Sequence, residues 1–287
     1  LAIAGNDTSV CYGGPQFQCM AVPAGGSWSG SAYVTSGGIF VPSQTGIYQL
    51  VYSYGSGTCL SMDTMVVTVE ALPIVSAGPN LQHCIDLNPY DLSGGSPVGG
   101  TWAGSGIINP ANGTFDPAAA GAGNWILTYT YTAPATGCTD SASLVMTVHP
   151  LPVAAFSHDS LICVNTPVTF LNTSSGATGY QWDFGDTQTS SIVSPSHTYT
   201  TAGIYPVSLI ATSAAGCTDT LISSIEVIAP PQAVISLAPS SGCGPLLVSF
   251  TNTSSADYAT WSWNFGNGLT DTAQHPGPVL FDMYLYT

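Results

Sequence analysis

The sequence predicts an all-β protein built as a rod of tandem antiparallel β-sandwich modules. Proline-marked joints at Leu72-Pro73, Leu151-Pro152 and Pro230-Pro231 recur at a constant interval, since 152 − 73 equals 231 − 152. Between the joints, apolar and polar residues alternate in short runs rich in Val, Ile, Thr and Tyr, which Gly, Pro, Asn and Ser interrupt. This period of two is typical of half-buried strands, and no segment has a convincing helical period.

The joints divide the chain into four modules. The predicted boundaries are 1–72, 73–150, 151–229 and 230–287. The last residues, 281–287, have the composition of a strand that stops midway. We therefore expect the fourth module to be truncated and the chain to be an internal segment of a longer protein.

The composition excludes several classes of function. The chain has no Lys or Arg, 15 Asp and Glu, and a net charge of −15. Nucleic acid and anionic membrane surfaces are therefore poor partners, because no side chain except His can neutralise phosphate. No apolar run reaches the roughly 20 residues that a membrane-spanning helix needs. Eight cysteines at regular positions favour an oxidising, extracellular compartment.

An aromatic phrase in the third module carries a family resemblance. It runs Tyr-Gln-Trp-Asp-Phe-Gly-Asp at 180–186, followed by His-Thr-Tyr at 197–199 and Gly-Ile-Tyr at 203–205. This order closely resembles the PKD (polycystic kidney disease) domain family over residues 153–229. The fourth module repeats part of it as Trp-Asn-Phe-Gly-Asn-Gly at 263–268. The resemblance implies an immunoglobulin-type sandwich in which the Trp packs between two sheets.

The first two modules share a different phrase. Gly-Gly-Ser-Trp at 25–28 corresponds to Gly-Thr-Trp at 100–102, and a Phe-x-Pro follows in each module. These modules resemble the Ig-like repeats found beside PKD domains in large secreted proteins of the Bacteroidota, including gliding-motility-associated, type IX-secreted adhesins. We expect the tryptophans of the four modules to be equivalent core residues: Trp28, Trp102, Trp182 and Trp263.

The predicted function is structural. We expect a stalk or filament segment of a large secreted cell-surface adhesin, whose partners are the neighbouring modules of the same chain. The alternative is an accessory carbohydrate-binding module that recognises surface polysaccharide through exposed aromatic residues. A secretion substrate held by its export machinery is a third interpretation, which the sequence does not separate from the first. No nucleophile elbow or recurring Ser, His and acid set is present, so we expect no enzyme and no cofactor.

The cysteines predict a disulfide within each module. Pairing the first cysteine of a module with the second predicts the bonds Cys11–Cys59, Cys84–Cys138 and Cys163–Cys217. The spacing is identical in the second and third modules, since 138 − 84 equals 217 − 163, and it is shorter in the first. Cys243 occupies a first-cysteine position, and we expect its partner to lie beyond 287. Cys19 falls where Leu92 sits in the second module, so we expect a buried thiol.

Two interpretations are open for the two aspartates of the PKD phrase, a calcium site and a hydrogen-bonded turn. The PKD resemblance implies that Asp183 and Asp186 are candidate Ca²⁺ ligands, since some PKD modules bind the ion. Alternatively, both carboxylates accept hydrogen bonds from backbone amides in a turn, where Asp and Asn are favoured. Asn264 and Asn267 in the fourth module favour the alternative, because a hard cation prefers carboxylate charge. The five histidines have no metal-ligand spacing.

The Bacteroidota resemblance also implies O-glycosylation at Asp-Ser/Thr followed by an apolar residue. The candidate hydroxyl residues are Thr64, Ser141, Ser160, Thr220 and Thr272. Alternatively, Asp followed by Ser or Thr is ordinary turn chemistry where the closing strand begins.

Overall fold

The computed structural model describes residues 1–254 and 260–282, and the architecture is all-β as predicted. Residues 255–259 and most of the predicted strand at 281–287 lie outside the described residues. The chain divides into two compact units. The first comprises Leu1–Leu151 together with Ala215–Cys217, and the second comprises Pro152–Ala214 and Thr218–Thr287.

The first module, residues 1–72, is a sandwich with a four-stranded sheet in the order β2-β8-β7-β5. Its strands are β1 (Ile3–Ala4), β2 (Thr8–Cys11), β3 (Phe17–Gln18), β4 (Ala21–Val22), β5 (Ser27–Ser29), β6 (Ile39–Phe40), β7 (Gly46–Tyr54) and β8 (Ser61–Glu70). The pairs β1–β4 and β3–β6 complete it. Strand β7 shows the predicted period of two, since Leu50 and Tyr52 are buried between partly or fully exposed neighbours.

The second module, residues 73–150, has the same central sheet in the order β9-β15-β14-β11 and a second sheet, β10-β13-β12. Its strands are β9 (Leu81–Cys84), β10 (Tyr90–Asp91), β11 (Thr101–Ala103), β12 (Ile107–Asn109), β13 (Thr114–Phe115), β14 (Gly123–Thr132) and β15 (Thr139–His149). A one-turn helix, α1 (Pro117–Ala120), is too short for a helical period in the sequence, but Asp116 caps it by accepting from the amides of Ala118 and Ala119.

The third module, residues 151–229, has a central sheet in the order β17-β24-β23-β20-β21. Its strands are β16 (Phe156–Ser157), β17 (Leu161–Cys163), β18 (Pro167–Thr169), β19 (Leu171–Asn172), β20 (Gly179–Asp183), β21 (Thr189–Ser190), β22 (Ser196–Thr198), β23 (Gly203–Thr212) and β24 (Thr218–Ile228). The pairs β16–β19 and β18–β22 complete it.

The described part of the fourth module repeats portions of the third. Its strands are β25 (Ile235–Ala238), β26 (Leu246–Asn252), β27 (Trp263–Asn264), β28 (Thr270–Asp271) and β29 (Val279–Phe281). They form the sheets β25-β26-β29 and β27-β28.

The described buried side chains form three groups, which span residues 2–69, 77–148 and 162–227. The predicted tryptophans are all buried, with exposed fractions of 6%, 3%, 0% and 9% for Trp28, Trp102, Trp182 and Trp263. Equivalent hydrogen bonds support the match between the last two: the indole Nε1 of Trp182 donates to Ile192 O (2.9 Å) and that of Trp263 to Ala273 O (2.8 Å).

The glycine phrase shared by the first two modules has a packing cause that the sequence did not reveal. Tyr52 Oη accepts from the Gly26 amide and Tyr129 Oη accepts from the Gly100 amide, each at 2.7 Å. A Cβ on Gly26 would lie 2.5 Å from Tyr52 Oη, and one on Gly100 would lie 2.7 Å from Tyr129 Oη. Only glycine lets the chain approach the phenol so closely, and the same tyrosines pack against the core tryptophans.

Candidate functional site

The first cysteine of each module lies at the end of a short strand. Strands β2, β9 and β17 run parallel to the last strand of their modules, which brings three cysteines opposite equivalent residues. The facing pairs are Cys11 and Glu70, Cys84 and His149, and Cys163 and Ile228. Each facing residue lies three positions before the second residue of the proline joint, at Pro73, Pro152 or Pro231. These strand-end cysteines therefore mark the end of a module that is nearest to its joint.

The second cysteine of each module lies in the turn of the long hairpin. Cys59 is in a 3₁₀ turn (Gly57–Cys59) between β7 and β8, while Cys138 and Cys217 immediately precede β15 and β24. The closing strand of 10 or 11 residues separates each of these turn cysteines from the strand-end cysteine of its module. At about 3.3 Å per residue, the two positions are roughly 30 Å apart.

The predicted pairing within modules is therefore wrong. A disulfide requires Cα atoms within about 7 Å, which opposite ends of such a closing strand cannot provide. The predicted bonds that do not form are Cys11–Cys59, Cys84–Cys138 and Cys163–Cys217.

The described chain instead contains disulfides between successive modules. Cys11 of the first module bonds to Cys138 of the second, with a Cα–Cα distance of 5.5 Å. Cys84 of the second module bonds to Cys217, with a Cα–Cα distance of 5.7 Å, and Cys217 belongs to the first compact unit. In both bonds a strand-end cysteine meets the turn cysteine of the next module along the chain. Cys59, Cys163 and Cys243 are free and exposed.

The remaining thiol, Cys19, is free and buried as predicted. Its equivalence with Leu92 is confirmed, because the Cys19 amide donates to Gly38 O (2.8 Å) and the Leu92 amide donates to Gly113 O (3.0 Å) in the second module. Burial raises the pKa of the Cys19 thiol. Cys19 is therefore a small core residue whose reactive thiolate form is suppressed.

The candidate calcium ligands lie in the turn after β20, and their oxygens have protein partners. Asp183 Oδ1 accepts from the Gly185 amide (2.9 Å), and Asp186 Oδ1 accepts from the Gln188 amide (3.1 Å). Asp186 Oδ2 lies 2.8 Å from Nε2 of His197, a buried ring stacked on Phe184. Because an ionised carboxylate only accepts, His197 Nε2 is the donor.

The fourth module retains the hydrogen-bonded turn after its Trp strand but has no counterpart of the Asp186–His197 pair. Asn264 Oδ1 accepts from Gly266 and Asn267 Oδ1 accepts from Leu269, so asparagine makes the same backbone bonds. Val279, which faces Val248 as His197 faces Val168, replaces the histidine. Asp186 and His197 are thus exchanged together, which favours a structural role for the carboxylate. Among the described residues, no group of three or more His, Cys, Asp or Glu is arranged to hold a metal ion.

The candidate glycosylation hydroxyls are all in partly or fully exposed residues: Thr64, Ser141, Ser160, Thr220 and Thr272. Some of the aspartates before them also have structural partners. Asp63 Oδ2 accepts from the Ala4 amide and Asp219 Oδ2 accepts from the Ala154 amide, each at 2.8 Å. These carboxylates hold the first residues of a module against its closing strand, which is a sufficient reason for Asp at both positions.

Aromatic side chains are mostly withdrawn from solvent. Within the described chain, those exposed beyond about a third are Tyr12 (46%) and Tyr54 (38%). Tyr12 follows the strand-end cysteine of the first module and Tyr54 ends β7, so they lie at opposite ends of that module. A pocket of about 480 Å³ in the first unit is lined mostly by polar residues, including Gln82, Asp86 and His149, without Trp, Tyr or Phe.

Comparison with known proteins finds a family match for the third module. Residues 149–228 match the PKD domain family model. The pre-pro-metalloprotease PrtV of Vibrio cholerae is 41% identical over 98 residues, an alignment that covers 32% of this chain and 10% of PrtV. The matched stretch is thus about a tenth of that relative.

Two solved structures are among those found to be similar to parts of this chain. The PKD1 domain of Vibrio cholerae PrtV is 38% identical, with a TM-score of 0.25, and the match covers 27% of this chain and 96% of that domain. Drosophila OTK extracellular domains 3–5 are 12% identical, with a TM-score of 0.35, covering 79% of this chain and 95% of that one. Residues 149–228 thus resemble PKD domains, and the described chain forms successive antiparallel β-sandwiches. Its disulfides are typical of extracellular proteins. Within the described residues, no helix is long and apolar enough to cross a bilayer.

Proposed function

We propose that this chain is a tension-bearing stalk segment of a large secreted cell-surface adhesin, which holds an adhesive region away from the cell. The observation that carries the proposal is the pairing of cysteines between successive modules, Cys11 with Cys138 and Cys84 with Cys217. A disulfide within one module would stabilise that module alone. A disulfide between modules also limits how far the chain can extend.

The two disulfides close overlapping loops, with sequence separations of 127 and 133. Along the backbone, the whole chain from Cys11 to Cys217 separates these two cysteines. The shortest covalent route instead uses both bonds and only the segment from Cys84 to Cys138, which is about a quarter as long. At about 3.6 Å per residue, full extension falls from roughly 740 Å to roughly 190 Å. Overlapping loops therefore keep the segment short even if its modules unfold.

Single-molecule stretching between the two chain ends tests this mechanical role. We expect the oxidised protein to unfold with a total extension about 550 Å shorter than that of the Cys11→Ser/Cys84→Ser variant, which lacks both bonds. The wild-type protein under reducing conditions is the matched control and should behave as the variant does. Equal extensions in the oxidised wild type and the variant would contradict a role in limiting extension.

The distribution of aromatic residues weighs against the carbohydrate-binding alternative. A binding platform needs several exposed rings on one face, whereas Tyr12 and Tyr54 lie at opposite ends of a module. A glycan array with the intact chain provides the direct comparison. Specific binding of a polysaccharide that survives in the disulfide-free variant would favour the binding function over the stalk. The proposal includes no catalytic activity.

A more specific origin is also proposed from the sequence phrases: a gliding-motility-associated, type IX-secreted adhesin of the Bacteroidota. PrtV, the relative named above, comes from Vibrio cholerae and does not bear on this origin. In such a cell we expect O-glycans on one or more of five hydroxyl residues that solvent reaches: Thr64, Ser141, Ser160, Thr220 and Thr272. Glycans would hydrate a surface that has no Lys or Arg.

Intact-mass measurement of the protein from its native cell tests the glycan prediction. We expect a mass above that of the bare polypeptide, with the excess located on peptides that contain the Asp-Ser/Thr sites. Replacing the five hydroxyl residues by alanine should remove the excess. A native mass equal to that of the polypeptide would contradict the prediction.

A further inference from the structure

Cys163 is the strand-end cysteine that lacks a partner in the described chain. It faces Ile228 on the closing strand, as Cys11 faces Glu70 and Cys84 faces His149. Cys11 and Cys84 are both disulfide-bonded, whereas Cys163 is free and exposed. The same local geometry therefore occurs three times, and two of the three occurrences hold a sulfur from the next module.

The bonded partners occupy a constant position in the next module. Cys138 follows the joint proline Pro73 at the same interval as Cys217 follows Pro152, since 138 − 73 equals 217 − 152. Each lies in the turn that precedes the closing strand of its module. The equivalent joint after the third module is Pro230-Pro231, whose second proline lies three positions beyond Ile228, as in the two earlier modules. The position of the joint relative to the strand-end cysteine is thus preserved at Cys163.

We propose that Cys163 is a covalent docking site for a module of the same build that follows the Pro230-Pro231 joint, and that it binds the turn cysteine of that module as a disulfide. The inference depends on the pairing of equivalent cysteines and not on a mechanical role. Cys59, the free turn cysteine of the first module, is the complementary half of the same connection. Its equivalents Cys138 and Cys217 each bond to a strand-end cysteine, so Cys59 would accept a partner of the same kind as Cys11 or Cys84.

The bond forms by ordinary thiol–disulfide exchange. The thiolate of one cysteine attacks a disulfide oxidant, such as glutathione disulfide or a disulfide oxidoreductase, and releases one thiolate of the oxidant. The second cysteine then attacks the mixed disulfide and displaces the other half. In total, two protein thiols lose two protons and two electrons, and the oxidant is reduced to two thiols.

A module-replacement variant tests the proposal in the full chain. Residues 230–287 are replaced by a second copy of 151–229, which places the copied Cys217 at the native interval after the copied joint proline. In the copied module only, Thr218→Ser marks the peptide of the copied Cys217 by its mass, and Cys163→Ser removes the second strand-end cysteine. The protein is refolded in a glutathione redox buffer, free thiols are alkylated, and peptides are mapped without reduction. Because trypsin has no cleavage site in this sequence, chymotrypsin is used. We expect a new disulfide between Cys163 and the copied Cys217, beside Cys11–Cys138 and Cys84–Cys217.

Two controls make the result specific. Cys163→Ser in the original module of the same variant should leave the copied Cys217 open to alkylation. Cys84→Ser should instead free the original Cys217 and leave the new bond intact. The two existing disulfides report whether the rest of the chain has folded. A second variant replaces residues 230–287 by a copy of 73–150, whose Cys138 follows Pro73 at the same interval, in case the first copy does not fold.

Three outcomes would overturn the proposal. Cys163 could stay free and be alkylated although the copied module has folded, or it could bond to the Cys217 of its own module. Disulfide-linked dimers through Cys163 and Cys59 would assign the site to a second copy of this chain instead. Refolding at low protein concentration, followed by non-reducing electrophoresis, separates that intermolecular product from the bond within one chain.

Discussion

Replacing Trp182 by alanine is expected to lower the free energy of unfolding of the third module by about 3–5 kcal/mol. The ring is fully buried, with its centroid 5.0 Å from that of Phe156 and 5.8 Å from that of Phe170. Its removal leaves a cavity between the two sheets. It also leaves Ile192 O without the hydrogen bond from the indole Nε1.

Hydrogen–deuterium exchange with mass spectrometry is the suitable measurement, because it reports each module separately. Peptides from β20, β23 and β24 should exchange faster, while those from the first two modules, which have their own cores, should not. Ile204→Ala is the matched control. Ile204 is 71% exposed in the same module, and its replacement should change stability by less than about 0.5 kcal/mol. Equal exchange in the Trp182→Ala variant and the wild type would contradict the predicted core role.

Replacing Asp186 by alanine is expected to destabilise the third module by about 1–3 kcal/mol, because buried His197 loses its acceptor. His197→Val copies the residue that the fourth module uses at Val279. In the double variant no imidazole remains to be satisfied, so the loss should be smaller than the sum of the two single losses, by about 0.5–3 kcal/mol. Denaturant unfolding of the four proteins completes the cycle.

The same proteins distinguish this hydrogen-bonding role from the calcium role that the family resemblance implies. We expect equal melting temperatures in millimolar calcium chloride and in EDTA, because the Asp183 and Asp186 oxygens already accept protein hydrogen bonds. Asp183→Asn serves as the control, since an amide oxygen can still accept from Gly185, as Asn264 accepts from Gly266. A calcium-dependent rise in melting temperature that Asp183→Asn and Asp186→Ala abolish would overturn the structural interpretation.

The candidate site was only partly predictable. Asp186 and His197 could both be selected from the aromatic phrase, but their pairing could not. They are 11 residues apart in the sequence, and the pairing of β18 with β22 places His197 in the buried layer beside the turn that contains Asp186. The reason for Gly26 was also hidden, because the Tyr52 hydroxyl that it accommodates is 26 residues away.

The sequence by itself determined the β architecture, the repeat and the identity of the core residues. These features follow from local alternation and from comparison of equivalent positions, as with Trp182 and Trp263 or with Cys19 and Leu92. When one face of a strand is buried, apolar residues recur at every second position in the sequence. This alternation is local and does not depend on how the modules are connected.

Only the tertiary structure decided which cysteines pair. The shorter separations within a module and the separations of 127 and 133 between modules are both compatible with a disulfide on sequence grounds. The decision depends on direction: β2 and β9 run parallel to the closing strands and carry Cys11 and Cys84 to the joint end, while the hairpin turn carries the second cysteine to the opposite end. Disulfide geometry requires Cα atoms within about 7 Å, and the observed pairs Cys11–Cys138 and Cys84–Cys217 meet this condition at 5.5 and 5.7 Å.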